Sequence, residues 1–244
     1  MTESHIDQML RMGSLAARIV VSDNGSPIRP IINGRHRKPT GRYTSLKAGG
    51  AMPWEDKRER EFFWISEADT AVVSYLAQPH RLEIEVGEAR PLIYFPDIRR
   101  DLADGSVEIR EIKKHYDPSD DPDYHRKLDL AKSIYERLGW SFRIIEGAEL
   151  AQGRVLTNAK RIQRDRDVVV DTRHRTIAEN VVAGSGGRAR MGDVREALSP
   201  SLAGEALLFA LIVRRVVSVD LHSRLDDDAG VTLVRDQRLA DRAA

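Results

Sequence analysis

A run of alternating side chains near the middle of the chain places charges where its own pattern predicts a hydrophobic core. In Ser106–Lys114, Val107 and Ile109 share one face of a predicted strand, and Glu111 and Lys113 continue on that face. Buried charges are costly unless they are paired or bind a metal ion. We therefore expect this face to change from core to functional site partway along the strand.

The composition indicates an ordered protein with a strongly hydrated surface. Of the 244 residues, which suffice for one large domain or two smaller ones, 41% are hydrophobic and 32% are charged. The net charge is only +1, so any attraction to nucleic acid must be local.

Cysteine is absent, which excludes disulfides, thiolate zinc sites and cysteine nucleophiles. No signal peptide is evident, and the longest apolar run, Ala206–Val213, is too short to span a bilayer, so we expect a cytoplasmic protein.

Residues 1–50 are predicted to form a basic, partly flexible arm. Glycine, proline and serine recur there in place of a core pattern. No acidic residue occurs between Asp23 and Glu55. The basic residues of that interval are Arg29, Arg35, Arg37, Lys38, Arg42 and Lys47. A solvated arm is the simplest interpretation, and binding to phosphates is the alternative that the lack of acids leaves open.

Residues 51–150 are predicted to form a compact α/β unit. Glu59, Phe62, Phe63 and Ser66 follow a helical stripe, which places Glu59 on the inward side of a helix. The pattern continues with a strand, a more central strand that is apolar on both faces, a hairpin turn, the charged strand, a long crossover helix and a last strand. These are Arg81–Val86, Pro91–Ile98, Asp104-Gly105, Ser106–Lys114, Tyr124–Leu138 and Trp140–Ile144.

Residues 151–244 are predicted to be mainly helical and to resemble a winged helix. A helix, a flexible break, two further helices and two short strands follow one another, which is the order of elements in that motif. The segments are Thr176–Val182, Gly184–Gly187, Met191–Leu198, Leu202–Arg215, Val216–Leu221 and Val231–Val234.

Three motifs of residues 51–150, taken in order, resemble the catalytic domain of the TnsA family. They are EDKREREFFWISEADTAVVSYLAQP at Glu55–Pro79, YFPDI at Tyr94–Ile98 and EIREIKK at Glu108–Lys114. TnsA proteins are the endonuclease subunits of heteromeric cut-and-paste transposases. The same motifs fit the broader PD-(D/E)xK, restriction-endonuclease-like fold, and the similarity extends from near Arg42 to near Ile145.

This resemblance implies a set of site residues. Glu59 matches the helical acid of the family, Asp97 the central metal-ligand aspartate, Glu111 the second ligand on a strand, and Lys113 the catalytic lysine. Direct ligands to Mg²⁺, with Mn²⁺ as a substitute, are expected to be Asp97 and Glu111, with the Ile112 carbonyl as a third. Glu59 is expected to bind a second metal or to hold a metal-bound water.

The residue types suit the hydrolysis of a phosphodiester. Attack by water adds negative charge to a group that is already anionic, and a divalent ion held by carboxylates neutralises this charge and activates the water. Lys113, two residues from Glu111 along the strand, points the same way and can contact the scissile phosphate or position the water.

The resemblance implies a Mg²⁺-dependent DNA endonuclease that cuts one strand at each transposon end. Its expected partners are double-stranded DNA, a separate integrase-like transposase that cuts the other strand, and an ATP-dependent transposition regulator. A stand-alone phage or restriction-type nuclease on the same fold is one alternative. A non-catalytic DNA-binding or assembly module on a nuclease scaffold is another.

Each of these residues also has an ordinary structural interpretation. Glu59 could pair with a neighbouring base on its helix, Asp97 could start a turn, and Glu111 and Lys113 could form a surface ladder between strands. The ordered set is more specific than any one residue, because an isolated D…ExK pattern is common by chance. Three histidines lack metal-ligand spacing and are interpreted as loop or surface residues, namely His80, His115 and His125.

Overall fold

A computed structural model describes residues 16–29, 39–87 and 90–234. Its strands are β1 (Ala17–Val20), β2 (Gly41–Ser45), β3 (Gly50–Trp54), β4 (Val72–Ala77), β5 (Arg81–Ile84), β6 (Leu92–Tyr94), β7 (Ile98–Leu102), β8 (Val107–Lys113), β9 (Ser141–Glu146), β10 (Arg188–Arg190), β11 (Val217–Val219) and β12 (Gly230–Leu233). Its helices are α1 (Lys57–Ala68), α2 (Pro122–Arg137), α3 (Gly147–Ala151), α4 (Val155–Arg164), α5 (Thr172–Gly184), α6 (Met191–Leu198) and α7 (Ala203–Val213). The fold is a mixed α/β arrangement.

The central sheet carries strands in the order β4-β7-β8-β9. β4, β7 and β8 pair antiparallel, whereas β9 runs parallel to β8. The predicted hairpin turn at Asp104-Gly105 is confirmed between β7 and β8, where Gly105 adopts a left-handed φ of 90°. Parallel neighbours need a long crossover, and α2 provides it, as its sequence pattern predicts.

The prediction of a central strand over Pro91–Ile98 is wrong. The apolar run divides into β6, which lies at the edge of a small sheet β1-β5-β6, and β7, which begins at Ile98 in the central sheet. Proline lacks an N–H for the ladder, and Pro96 lies at the division. Ile93 is exposed at this sheet edge, so the apolar character of the run did not indicate that all of its residues are buried.

The described parts of the predicted N-terminal arm contain strands that the pattern did not reveal. β1 pairs antiparallel with β5, and β2 forms a hairpin with β3. Lys47 donates from Nζ to the carbonyls of Ser66 and Asp69, at 3.0 and 2.6 Å, and so caps the end of α1. Arg35, Arg37 and Lys38 lie outside the described residues, so a phosphate-binding arm stays a prediction.

Helices cover both faces of the central sheet. α1 packs on one face together with side chains from Tyr43 to Val231, so a single hydrophobic cluster includes residues on both sides of position 150. α2 covers the other face with a second cluster. α4, which contacts α1, was not predicted, because its buried face includes the polar side chains of Asn158 and Gln163 beside Ala159.

The C-terminal elements follow the predicted order. α6 spans Met191–Leu198 as expected, and α7, β11 and β12 lie close to their predicted positions. β10, β12 and β11 form a three-stranded antiparallel sheet in that order. Among the described residues, no single helix has both the length and the apolar character to cross a bilayer. α6 and α7 together reach that length but meet at 109°.

Candidate active site

Glu59 lies in the first turn of α1, which begins at a side-chain cap. Asp56 accepts from the backbone N–H of Arg58 at 2.8 Å and ends the preceding extended segment. Glu59 accepts from the backbone N–H of Glu55 at 3.0 Å through Oε2. Further along the helix, Phe63 is fully buried. The helix is therefore anchored by its apolar face while its first turn carries a carboxylate to the end of the sheet.

Asp97 lies between β6 and β7 and is fixed at both its backbone and its side chain. Its carbonyl accepts from the N–H of Gln78 at 2.8 Å, and its Oδ2 accepts from the N–H of Ile112 at 2.7 Å. Gln78 has a left-handed φ of 43°, which is uncommon for a residue other than glycine. The bond to Ile112 holds the Asp97 carboxylate against β8, beside the position of Glu111.

Glu111 is buried near the end of β8, with 2% of its surface exposed. Its Oε2 accepts from the Tyr94 hydroxyl at 2.6 Å, and its Oε1 accepts from the Tyr124 hydroxyl at 2.6 Å. Lys113 forms an ion pair with the same Oε1 at 2.7 Å. Val107 and Ile109 pack in the cluster under α2, so the face does change from core to charged site along the strand.

The structure brings all four predicted side chains to one open cleft of about 790 Å³. Ile112, the predicted carbonyl ligand, lies there too. The cleft is also lined by Arg29, Glu55, Asp56, Tyr94, Tyr124 and Lys127, among others. Residues separated by more than fifty positions in sequence therefore face one volume, and the roles assigned to them in ligation and catalysis stay predictions.

The charges of the cleft influence one another. Burial raises the pKa of Glu59 to about 7, and Glu55, Asp56 and Glu111 add to this effect. Burial, followed by the charges of Glu111 and Glu59, raises the pKa of Asp97 well above its usual value. Burial alone would lower the pKa of Lys113, but the adjacent Glu111 carboxylate outweighs it, so the pKa lies above its ordinary value. Three carboxylates of the cleft therefore influence one another, and one of them, Glu111, is paired with the Lys113 ammonium group.

Carboxylate and carbonyl oxygens, which line the cleft, are the donors that a hard divalent cation prefers. Among the described residues, no group of three or more histidine, cysteine, aspartate or glutamate side chains is placed so that it could hold a metal ion. Mg²⁺ usually keeps several waters and takes only one or two carboxylates from a protein. Asp97, Glu111 and the Ile112 carbonyl would supply oxygen donors of this kind. Burial is the main cause of the raised pKa values of Glu59 and Asp97, and repulsion between carboxylates, which a bound cation would relieve, adds to it.

Two tyrosines of the site were missed in the sequence. Tyr94 stands within the YFPDI motif, but an aromatic residue in a strand ordinarily belongs to the core. Tyr124 lies 13 positions from Glu111, and only the placement of α2 brings it back to the strand end. No spacing rule in the sequence connects these phenols to the acid.

The prediction that His80 lies in a loop is confirmed, but the residue is buried and not at the surface. Its side chain is 1% exposed, its Nε2 lies 2.7 Å from the Tyr135 hydroxyl, and its ring packs against Tyr135 and Trp140. It follows Pro79 in a loop that the second cluster covers, which the local pattern does not show. His115 is exposed in the segment after β8, as predicted, whereas His125 is half-buried near the start of α2.

A second cavity of about 920 Å³ lies on the opposite face of the central sheet. Arg100 and Arg110 line it, and both form ion pairs with Glu108. Both arginines of this cavity are therefore paired within the protein.

Comparison with known proteins finds a family similarity in the stretch of chain that contains most of the candidate site residues. A family model described as "TnsA-like endonuclease N terminal" matches residues 69–147. The match includes Asp97, Glu111 and Lys113 and begins after Glu59. A search of curated proteins found no match. The motif resemblance is thus confirmed over this stretch, and residues 69–147 are similar to the N-terminal domain of TnsA-like endonucleases.

Proposed function

We propose that this chain is a metal-dependent DNA endonuclease that hydrolyses phosphodiester bonds, resembling the TnsA subunit that cuts one strand at transposon ends. The observation that carries the proposal is the convergence of Glu59, Asp97, Glu111 and Lys113 on one open cleft. The family match over the segment that contains three of these residues supports it further.

The side chains have separate tasks in this proposal. Asp97, Glu111 and the Ile112 carbonyl would hold Mg²⁺, or Mn²⁺ in its place. A divalent cation bound there supplies charge neutralisation and activation of water. The Lys113 side chain, which is 30% exposed, would donate from Nζ to a non-bridging oxygen of the scissile phosphate. Glu59 would bind a second metal ion or hold a metal-bound water through its carboxylate.

The expected partners are double-stranded DNA of transposon ends, an integrase-like transposase and an ATP-dependent regulator, acting in the cytoplasm. This part of the proposal rests on the likeness to TnsA-like endonucleases. The order α5, β10, α6, α7, β11, β12 supports a winged-helix-like C-terminal region. α7 takes the place of a recognition helix there, but it is buried along most of its length. We therefore do not assign it to reading a DNA groove.

Cleavage of DNA that carries candidate element ends tests the proposal. With Mg²⁺ and the partner transposase, the intact chain is expected to cut one strand, and Lys113→Ala is expected to cut about 100-fold more slowly or worse, because an electrostatic partner of the transition state is lost. Lys132→Ala, which removes an exposed lysine of α2, is the matched control and is expected to cut like the intact chain.

Other outcomes would support the alternatives. Efficient cutting without any transposase would favour a stand-alone nuclease. Equal cutting by intact chain, Lys113→Ala and Glu111→Ala would contradict the assigned site and favour a non-catalytic module.

A further inference from the structure

Two phenol groups hold the buried carboxylate of Glu111, one on each oxygen. Tyr94 donates to Oε2 and Tyr124 donates to Oε1, both at 2.6 Å. Such short bonds from a hydroxyl to an ionised acceptor are stronger than bonds between neutral groups. Two bonds at opposite oxygens fix the rotation of the carboxylate about its own axis as well as its position.

Both tyrosines are themselves held by their elements. Tyr94 is 3% exposed on β6, and its ring meets Phe142 edge-on, with centroids 6.4 Å apart. Tyr124 stands in the first turn of α2, where its N–H donates to the capping Asp121 at 2.9 Å. A rigid edge strand and a capped helix start therefore approach Glu111 from two different parts of the chain.

Tyr124 also contacts the catalytic lysine of the proposed site. Lys113 Nζ lies 4.7 Å from the centre of the Tyr124 ring while it pairs with Oε1 of Glu111. An ammonium group over an aromatic face is attracted to the ring, most strongly where water is partly excluded. Hydroxyl and ring of one side chain thus contact two different members of the site.

We propose that Tyr94 and Tyr124 are positioning residues that hold Glu111 in the orientation needed for a metal ion, and that the Tyr124 ring also positions Lys113. This inference rests on the proposed function, because it takes Glu111 as a metal ligand. Groups that bond to metal-ligating side chains orient them, and their loss typically weakens metal binding or activity by about 10- to 100-fold.

Titration of the intact, full-length chain with Mn²⁺ by calorimetry separates the phenol hydroxyls from the rings. Tyr94→Phe and Tyr124→Phe keep each ring and remove one hydrogen bond to Glu111. We expect each to bind Mn²⁺ about tenfold more weakly or worse. Tyr116→Phe is the matched control, because its hydroxyl bonds to His125 and not to Glu111. We expect its Mn²⁺ affinity to equal that of the intact chain.

A second comparison isolates the Tyr124 ring. Tyr124→Leu removes hydroxyl and ring together, so it is expected to lose metal affinity as Tyr124→Phe does. We compare DNA cutting at saturating Mn²⁺ with the partner transposase present. Tyr124→Leu is expected to cut at least about fivefold more slowly than Tyr124→Phe, because the Lys113 ammonium has lost its contact with the aromatic ring.

The outcomes distinguish this inference from the proposed function. Mn²⁺ binding by the intact chain that is unchanged in both Phe variants would overturn the inference and leave the metal site standing. An intact chain that binds no Mn²⁺ would overturn both. Tyr94 is fully surrounded, so circular dichroism first establishes that Tyr94→Phe is folded. If it is not, Tyr124→Phe at the cleft surface decides the result.

Discussion

At the scale of single residues, two buried ionisable side chains, Glu111 and His80, lie in environments that favour different charge states. Glu111 stays next to an ammonium and two hydroxyls, so its charge is compensated within the site. His80 lies in an aromatic environment beside Tyr135, and burial together with the charge of Arg99 lowers its pKa to about 4. The first arrangement suits an ionised group, whereas the second keeps a neutral imidazole.

The lowered pKa of His80 predicts a specific loss of stability in acid. In the unfolded chain this imidazole takes a proton near pH 6.5, and in the folded chain only near pH 4. The unfolded state therefore binds more protons in between, and stability falls as the pH drops through this window. Between pH 7 and pH 5 the free energy of unfolding should fall by about 2 kcal/mol from this residue alone.

Urea unfolding of intact chain and His80→Gln at the two pH values measures this contribution. The variant should lose about 2 kcal/mol less than the intact chain over the same interval. Equal pH dependence in the two proteins would show that His80 is not held neutral.

At the scale of elements, α1 is attached to the β2–β3 hairpin by a buried carboxylate. Glu67 is 0% exposed and accepts from the hydroxyls of Ser45 and Tyr75 and from the N–H of Leu46, at 2.6, 2.8 and 2.9 Å. The same helix carries Glu59 to the cleft from its other end. The attachment therefore fixes the helix that positions one of the proposed site residues.

Removal of the Glu67 side chain should be strongly destabilising. Glu67→Ala leaves the buried hydroxyls of Ser45 and Tyr75 and the part-buried N–H of Leu46 without their acceptor, and each unpaired buried group costs on the order of 1–3 kcal/mol. We expect a loss of at least about 2 kcal/mol in the free energy of unfolding. Lys57→Ala, at an exposed position of α1, should change it by less than about 0.5 kcal/mol. A loss for Glu67→Ala as small as that of the control would contradict the described network.

Elements with a clear local period could be predicted from sequence, and those made by distant partners could not. α1 and α2 show stripes of helical period, and β8 shows a period of two in which Val107 and Ile109 share one face, so the positions of these elements were foreseen. β1 was missed because its stability comes from pairing with β5, more than sixty residues away. The same distinction holds in the candidate site. Asp97 and Glu111 could be predicted because they belong to motifs that occur in a fixed order along the sequence. The roles of Tyr94 and Tyr124 depend on contacts that form only in the folded chain.

At the scale of the whole molecule, the two halves of the chain share a hydrophobic core. α1 packs against α4, and Ala159 and Ile162 of α4 belong to the same buried cluster as Phe62 and Phe63. A helix that carries a site residue thus depends on apolar surface from residues beyond position 150. We expect the chain to unfold as one cooperative unit over the described residues.

Substitution of Ile162 tests this coupling from a distance. The chain has three tryptophans, at positions 54, 64 and 140, so fluorescence reports only on the first part of the chain. Ile162→Ala opens a cavity in the shared core and should cost about 2–5 kcal/mol. The midpoint of urea unfolding followed by tryptophan fluorescence should shift together with the midpoint followed by circular dichroism. If the midpoint followed by circular dichroism shifts while the midpoint followed by fluorescence does not, the parts of the chain before and after position 150 unfold independently.

Calorimetric titration of Mn²⁺ into intact chain and Asp97→Asn tests most directly whether the cleft is a metal site. The asparagine keeps the size of the side chain and removes the negative charge beside Glu111 and Glu59. We predict that the intact chain binds Mn²⁺ and that Asp97→Asn, shown to be folded by circular dichroism, binds it at least about tenfold more weakly. Equal affinity in the two proteins would contradict the account.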